Sequence, residues 1–158
     1  MPDRKIVVMQ PAADGPRFAV LPPEDHAEIH GLLAAYGRFF DDGAIDDFMG
    51  LIADDAIFYP NWPGVAPDVV EGAAALREFF VGAYGHPIAK GAKPYHQATN
   101  VIIVRATATT AEASVTMQYA EFTPGKAPEL LMVGQYDFQL EKRDGRWFIA
   151  CWSMRYEK

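Results

Sequence analysis

The chain has 158 residues, half of them apolar and 13% aromatic, which predicts one packed domain and excludes a disordered chain. Its formal net charge of −7 argues against a general binder of nucleic acid or of an anionic membrane, because either needs a basic surface. A single cysteine, Cys151, excludes an intrachain disulfide and a thiolate metal cluster. The apolar run after Arg4 and Lys5 is too short for a secretory or membrane-spanning segment, so we expect a cytoplasmic protein.

Residues 1–22 include Pro11, Gly15, Pro16 and Pro22 and show no sustained hydrophobic period, which predicts an N-terminal arm. Residues 23–158 are then the single folded domain. Within it the helices come first. Apolar residues at helical spacing predict helices at 24–41, about 45–53 and 72–81, with a short strand at 56–59 after the second. The proline-containing segments 60–67 and 84–94 are predicted to be loops.

The pattern changes to strands after Tyr95. We predict four, at 97–105, 111–122, 129–142 and 146–156, with Asp144-Gly145 as a hairpin turn. Helices followed by long strands predict an α+β fold with the helices on one face of an antiparallel sheet. Alternation in the last strand puts Trp147, Ile149 and Cys151 on one face, and Phe148, Ala150, Trp152 and Met154 on the other. The helices can cover only one of the two apolar faces of the sheet. We therefore predict that another subunit covers the second, open face, in a homodimer or higher homo-oligomer.

Strict motifs for nucleotide binding, metalloproteases and serine hydrolases do not occur in the sequence. His26 and His30 have the i, i+4 spacing of a metal half-site, but nothing marks a third ligand and we predict no metal. His86 falls in a predicted loop and is interpreted as a rim residue. His96 stands out because it lies where a loop opens into a long strand, so that its ring can face a cavity. A structural histidine bonded to a loop carbonyl is the alternative interpretation of His96.

Seven short segments, each at a particular place along the chain, carry a resemblance to a known family. They are Tyr36 in the first helix, Asp41 to Phe48 at its end, Asp54 to Tyr59 at the first strand, Glu71-Gly72 before the third helix, His96 to Val101 at the opening of the long strands, and Gly134 to Tyr136 and Arg143 to Trp147 in the final hairpin. In this order they resemble the nuclear transport factor 2-like superfamily, and within it the SnoaL-like group with its scytalone dehydratase-like relatives. The resemblance covers about residues 24–153. It implies a cone-shaped fold in which three N-terminal helices and a curved antiparallel or mixed sheet enclose a pocket.

The resemblance also implies roles for three residues. In the lyases of this group an Asp at the end of the first helix orients a His at the start of a long strand, and Asp41 and His96 occupy those places. Tyr59 matches a tyrosine that polarises the substrate carbonyl. The chain departs from the scytalone dehydratases at their second histidine, where it reads Thr116-Met117-Gln118, and at their Asn near Tyr136. It is therefore not expected to be a scytalone dehydratase itself.

These residues predict a lyase or isomerase, dehydratase-like or cyclase-like, that needs no cofactor. Its substrate is expected to be a small cyclic, polyketide-, steroid- or aromatic-like molecule, because the expected pocket is aromatic and weakly polar. The residues expected to bind the substrate are Tyr36, Trp62, Met117, Tyr119 and Tyr136. Two other functions stay open. The same pocket could belong to a non-catalytic ligand-binding protein, and dioxygenase small subunits, which resemble this fold, suggest a structural subunit.

Overall fold

Three helices pack against a six-stranded sheet in the computed structural model, which describes residues 18–61 and 68–156. The helices are α1 (Pro23–Asp41), α2 (Ile45–Met49) and α3 (Ala73–Ala89). The strands are β1 (Ile52–Tyr59), β2 (Val70–Glu71), β3 (Lys93–Ala106), β4 (Thr110–Phe122), β5 (Glu129–Arg143) and β6 (Arg146–Tyr156). The sheet order is β2-β1-β6-β5-β4-β3. Only the β1–β6 pair among these neighbours is parallel, so the sheet is mixed, which is one of the two forms that the resemblance implies. It is curved and does not close.

Helix α1 confirms the first predicted helix almost to the residue. Proline begins it and two acidic residues lie in its first turn, where they favour the positive end of the helix dipole. Its buried face, which includes Ile29, Leu33 and Tyr36, packs on the sheet. Gly43, with a φ of 68°, turns the chain after the helix. Asp41 is consequently the last helical residue, and it lies against the sheet.

The boundary between α2 and β1 differs from the prediction. The helix ends at Met49, and β1 starts at Ile52 rather than at residue 56. Ile52 pairs with Ile149 of β6, and the register then shifts before Ile57 pairs with Cys151. This irregularity obscures the period-2 alternation from which the sequence predicts a strand.

The predicted loop 84–94 is also wrong. Helix α3 continues to Ala89 and contains Pro87 in its last turn. The ring of Tyr84 packs edge-on against Phe40 with ring centroids 5.9 Å apart, and such tertiary contacts sustain a helix that glycine and proline would weaken. Strand β3 then begins at Lys93, so His96 lies within the strand and not at its junction with a loop.

The long hairpins follow their turn sequences. Asp144 and Gly145 both have positive φ, at 49° and 80°, which is the type I′ geometry that the Asp-Gly pair predicts. The β3–β4 turn is closed by a hydrogen bond from Thr107 N to Thr110 O of 2.8 Å. The β3–β4 register shifts twice beyond this turn, between Ile103 and Arg105 and between Thr99 and Ile102, and His96 of β3 then lies opposite Tyr119 of β4.

A bulge in β6 overturns the predicted division of its faces. Leu140 of β5 pairs with Ile149, whereas Phe138, two residues earlier, pairs with Trp152, so Ala150 is an extra residue in β6. Trp152 therefore lies on the same face as Ile149, towards the helices, and Met154 follows it there. Trp152 and Met154 therefore do not make the outer face apolar, and they no longer support the prediction of an oligomer. The outer face keeps exposed apolar side chains at one end, such as Tyr95 and Val133, and a homo-oligomer stays a prediction.

Of the predicted arm, only residues 18–22 are among the described residues. The N–H of Ala19 donates to the carbonyl of Ile103 at 2.7 Å, so this part of the arm runs along β3 at the edge of the sheet. No helix in the described ranges is long and apolar enough to cross a membrane.

Candidate active site

Asp41 and His96 form a two-point contact between α1 and the sheet. The Nδ1 atom of His96 lies 2.6 Å from Oδ1 of Asp41, and the backbone N–H of His96 donates to Oδ2 of the same carboxylate at 2.6 Å. The Asp41 side chain is 6% exposed and the His96 side chain 11% exposed. A carboxylate that accepts from Nδ1 fixes the tautomer with the proton on Nδ1. It leaves Nε2, with its lone pair, as the ring nitrogen available to the cavity that His96 lines.

The position of β3 explains why the backbone of His96 needs Asp41. β3 is the edge strand of the sheet, so half of its backbone donors and acceptors have no neighbouring strand. Asp41 satisfies the N–H of His96 in the way that Ala19 satisfies the carbonyl of Ile103 further along the same edge. The ionised carboxylate therefore holds both the strand and the ring in place.

The ring of His96 lines a cavity between the helices and the inner face of the sheet. Aromatic rings and methionines form nearly all of its wall. The lining residues are Tyr36, Phe40, Phe58, Phe79, Phe80, Ala83, His96, Tyr119, Met132, Tyr136 and Met154. The cavity volume is about 60 Å³, well below the roughly 150 Å³ of an apolar cavity that holds benzene. A ring-sized ligand must therefore displace side chains, and the unbranched Met132 and Met154 are the most adaptable of the set.

Three of the predicted substrate-binding residues reach this cavity, namely Tyr36, Tyr119 and Tyr136. Met117 is buried on the same face of β4 as Tyr119, but it is not part of the cavity wall. Trp62 lies outside the described residues.

Tyr59, the predicted substrate-polarising residue, is not brought to the cavity. The ring of its neighbour Phe58 stacks on Trp152 on the inner face, so alternation along β1 directs Tyr59 to the outer face. There Tyr59 is opposite Ser153 in the parallel pair with β6. The assignment of Tyr59 as the cavity donor is therefore wrong, because the strand register puts it on the other side of the sheet.

Three tyrosines lie in the cavity wall, and the hydroxyl groups of Tyr36 and Tyr119 make hydrogen bonds there. The hydroxyl of Tyr36 accepts a hydrogen bond of 3.0 Å from Nε1 of Trp152, and this contact is buried. Tyr119 donates its O–H to Oε1 of Glu121 at 2.9 Å, and its ring centroid is 4.8 Å from that of His96. Burial, aided by the hydrogen bond to Glu121, raises the pKa of Tyr119. Tyr119 therefore stays protonated and can act as a hydrogen-bonding group beside His96.

Several cavity residues were missed from the sequence. Phe79 and Phe80 lie in the predicted helix 72–81, and nothing in the sequence separates a core position of that helix from one in a cavity wall. Met154 was missed because the β6 bulge reverses its face. Glu121 is outside the cavity wall but accepts from the Tyr119 hydroxyl, and it could have been found because it is two residues from Tyr119 on the same strand face.

The other histidines lie away from this site. The rings of His26 and His30 stack with centroids 4.4 Å apart on α1, and burial lowers the pKa of His30. Among the described residues no group of three or more histidine, cysteine or acidic side chains could hold a metal ion. His86 is exposed on α3.

The sequence model of the SnoaL-like domain matches residues 23–153, from the start of α1 into β6. The chain belongs to the SnoaL-like family. No protein of curated function matches it.

Solved structures resemble the SnoaL-like chain over most of its length. Aln2 from a Streptomyces species has a TM-score of 0.76 at 17% identity, covering 87% of this chain and 94% of Aln2. A Novosphingobium aromaticivorans protein provisionally named a scytalone dehydratase has a TM-score of 0.68 at 18% identity, covering 85% of each chain. The β subunit of a provisionally named aromatic-ring-hydroxylating dioxygenase from the same organism has a TM-score of 0.69 at 14% identity, covering 85% of this chain and 90% of the subunit. At these identities the similarities show the fold, which is nuclear transport factor 2-like.

Proposed function

We propose that this SnoaL-like protein is a lyase or isomerase that needs no cofactor and that uses His96 as a general base. The observation that carries the proposal is the 2.6 Å contact between Asp41 Oδ1 and His96 Nδ1 at the wall of a cavity. Asp41 fixes the ring and the tautomer, so that Nε2 is the acceptor on the cavity side. A base within hydrogen-bond reach of a bound substrate contributes about 10²–10⁴-fold to a proton transfer.

The substrate class follows from the wall of the cavity. Its aromatic rings and methionines suit a small cyclic or aromatic molecule, and a carbonyl on that molecule would acidify the adjacent C–H bond. Nε2 of His96 takes that proton, and the electrons of the C–H bond move to the carbonyl oxygen to form an enolate. Return of the proton to another carbon completes an isomerisation. Alternatively, a β-hydroxyl group takes the proton from Nε2 of His96 and leaves as water, and this completes a dehydration.

The enolate oxygen needs a hydrogen-bond donor, and Tyr36 takes the place that the sequence suggested for Tyr59. The Tyr36 hydroxyl accepts from Trp152 Nε1, and accepting a hydrogen bond polarises its own O–H towards the next acceptor. Its ring is in the cavity wall and is 4% exposed, so the donor acts where water is scarce.

The alternative of a structural subunit predicts Asp41 and His96 too far apart for a hydrogen bond, and their contact counts against it. The small volume of the cavity is consistent with a second alternative, a protein that binds an apolar ligand without transforming it. The two hypotheses separate on whether a bound ketone loses a proton.

Deuterium exchange tests this without knowledge of the natural substrate. The protein is incubated in D₂O with 1-tetralone and with cyclohexanone, and incorporation at the carbon next to the carbonyl is followed by proton NMR. We expect exchange faster than in buffer, and a loss of about 100-fold or more in His96→Ala. His26→Ala is the matched control, since His26 is on α1 outside the cavity, and its exchange rate should equal that of the unaltered protein.

Two results would overturn the proposal. One is exchange that persists at the unaltered rate in His96→Ala. The other is saturable binding of both ketones, measured by tyrosine and tryptophan fluorescence, with no exchange above buffer, which is the result expected of the non-catalytic binder.

A further inference from the structure

Gly37 lies where α1 passes closest to His96. A Cβ atom built on Gly37 would be 3.0 Å from Cβ of His96 and 3.7 Å from its carbonyl oxygen. A Cβ atom built on Gly31, the other glycine of α1, would have nothing within 4 Å. Gly37 is buried in the helix, where glycine costs stability relative to alanine. The close approach to His96 therefore explains a glycine at this position, whereas helix formation would favour alanine.

We infer that Gly37 is a positioning residue for His96, an inference that rests on the proposed function of the Asp41–His96 pair. Residues four apart lie on the same side of a helix, so Gly37 and Asp41 both lie against β3. With no side chain at Gly37, the helix can come close enough for Asp41 to reach two groups of one residue. Those groups are the backbone N–H and the Nδ1 atom of His96, each at 2.6 Å.

An added methyl group at Gly37 cannot be accommodated by a rotamer change. The atom that it meets is Cβ of His96, whose position is fixed by the backbone of β3. The helix and the strand must separate by a few tenths of an ångström, or the imidazole must tilt. Either response lengthens the two contacts with Asp41, and the second of them sets which ring nitrogen carries the proton.

Gly37→Ala and Gly31→Ala form a matched pair for the test. Both replace a glycine of α1 by alanine, so both gain the same intrinsic helix propensity, and only Gly37→Ala adds an atom against His96. The main readout is the tautomer of His96, measured from the ¹⁵N chemical shifts of the neutral ring. Thermal unfolding is recorded on the same samples.

In the unaltered protein and in Gly31→Ala we expect one tautomer with the proton on Nδ1. In Gly37→Ala we expect a mixture of the two tautomers, and a ketone exchange rate about tenfold lower, since small displacements of a catalytic group are costly. A single Nδ1–H tautomer in folded Gly37→Ala would overturn the inference.

A measurement on the unaltered protein tests the same close approach if Gly37→Ala does not fold. The amide of His96 is on an edge strand, so its protection from solvent exchange depends on Asp41. Protection of this amide supports the inference, and rapid exchange with solvent would overturn it. The tautomer and amide readouts do not involve a substrate. A failure of the proposed chemistry would therefore appear as absent ketone exchange with the tautomer result unchanged.

Discussion

Helix α1 contacts the sheet through a buried aspartate near each end, and the two aspartates differ in what lies beyond their partners. At the first turn, Asp25 accepts from Lys142 Nζ at 2.6 Å and from Trp147 Nε1 at 3.0 Å. At the last residue, Asp41 accepts twice from His96. Lys142 and Trp147 each donate to Asp25, and neither lines the cavity described above. His96, the partner of Asp41, has a second ring nitrogen and lines that cavity.

The comparison teaches that a buried carboxylate and its donor do not by themselves indicate catalysis. Asp25 fixes the β5–β6 hairpin to the start of α1, and Glu28 adds a bond from the backbone N–H of Trp147 at 2.9 Å. A lysine ammonium group and an indole N–H are donors only, so the partners of Asp25 can hold its carboxylate but cannot take a proton from a substrate. Neutral histidine is both donor and acceptor, and a carboxylate on one side makes it an acceptor on the other.

The largest effect should come from Asp41→Asn. Asparagine keeps the shape but no longer holds the ring with an ionised acceptor, so the tautomer of His96 is released. We expect ketone exchange to fall about 100-fold. Asp25→Asn is the control at the other end of the helix, and should leave the exchange rate of the folded protein unchanged. Equal losses in both variants would mean that the two ends do not differ in function.

The free energy of unfolding should depend on pH through the carboxyl group of Asp25. The hydrogen bond from Lys142, and then that from Trp147, lower the pKa of Asp25 below its ordinary value of 3.8. A lowered folded-state pKa stabilises the fold above 3.8, and this contribution is lost as the pH falls through the folded-state value.

Urea unfolding from pH 7 to pH 3 measures this contribution. The free energy of unfolding of Asp25→Asn should lie below that of the unaltered protein at pH 7, and the gap should narrow as the pH approaches 3. Asp42→Asn is the comparison, because Asp42 also has a lowered pKa, caused first by Arg38, but its partner Arg38 is well exposed. Asp42→Asn should therefore change the free energy of unfolding only slightly at any pH in this range. A gap for Asp25→Asn that is constant with pH would contradict the role given to its charge.

A smaller effect is expected from Trp147→Phe. The substitution removes one donor to Asp25 and part of a side chain that is 2% exposed, and leaves Lys142 in place. The free energy of unfolding should fall by roughly 2 kcal/mol, from the lost hydrogen bond to a charged group and the space left behind. Trp152→Phe should cost a similar amount and also slow ketone exchange, because Trp152 polarises Tyr36. If Trp147→Phe slowed exchange as much, the two ends of α1 would be functionally coupled.

The pattern of the sequence predicted α1, the long hairpins and the α+β class, because these depend on local periodicity and on turn residues such as Asp144-Gly145. It failed where a long-range contact overrides the local signal. Helix α3 continues through Gly85 and Pro87 while Tyr84 packs on Phe40. The bulge at Ala150 depends on the pairing of β5 with β6, and it moves Trp152 and Met154 to the inner face.

The candidate site divides in the same way. By itself the sequence determined that a histidine would stand near the start of a long strand and an aspartate at the end of the first helix, since periodicity and turn residues place both. Only the tertiary structure decided that they meet at 2.6 Å, that Tyr59 faces away from the cavity and that Tyr36 lies in its wall. The physical reason is that a face of a sheet is chosen by register. One extra residue in a strand reverses it, and no local pattern records that residue.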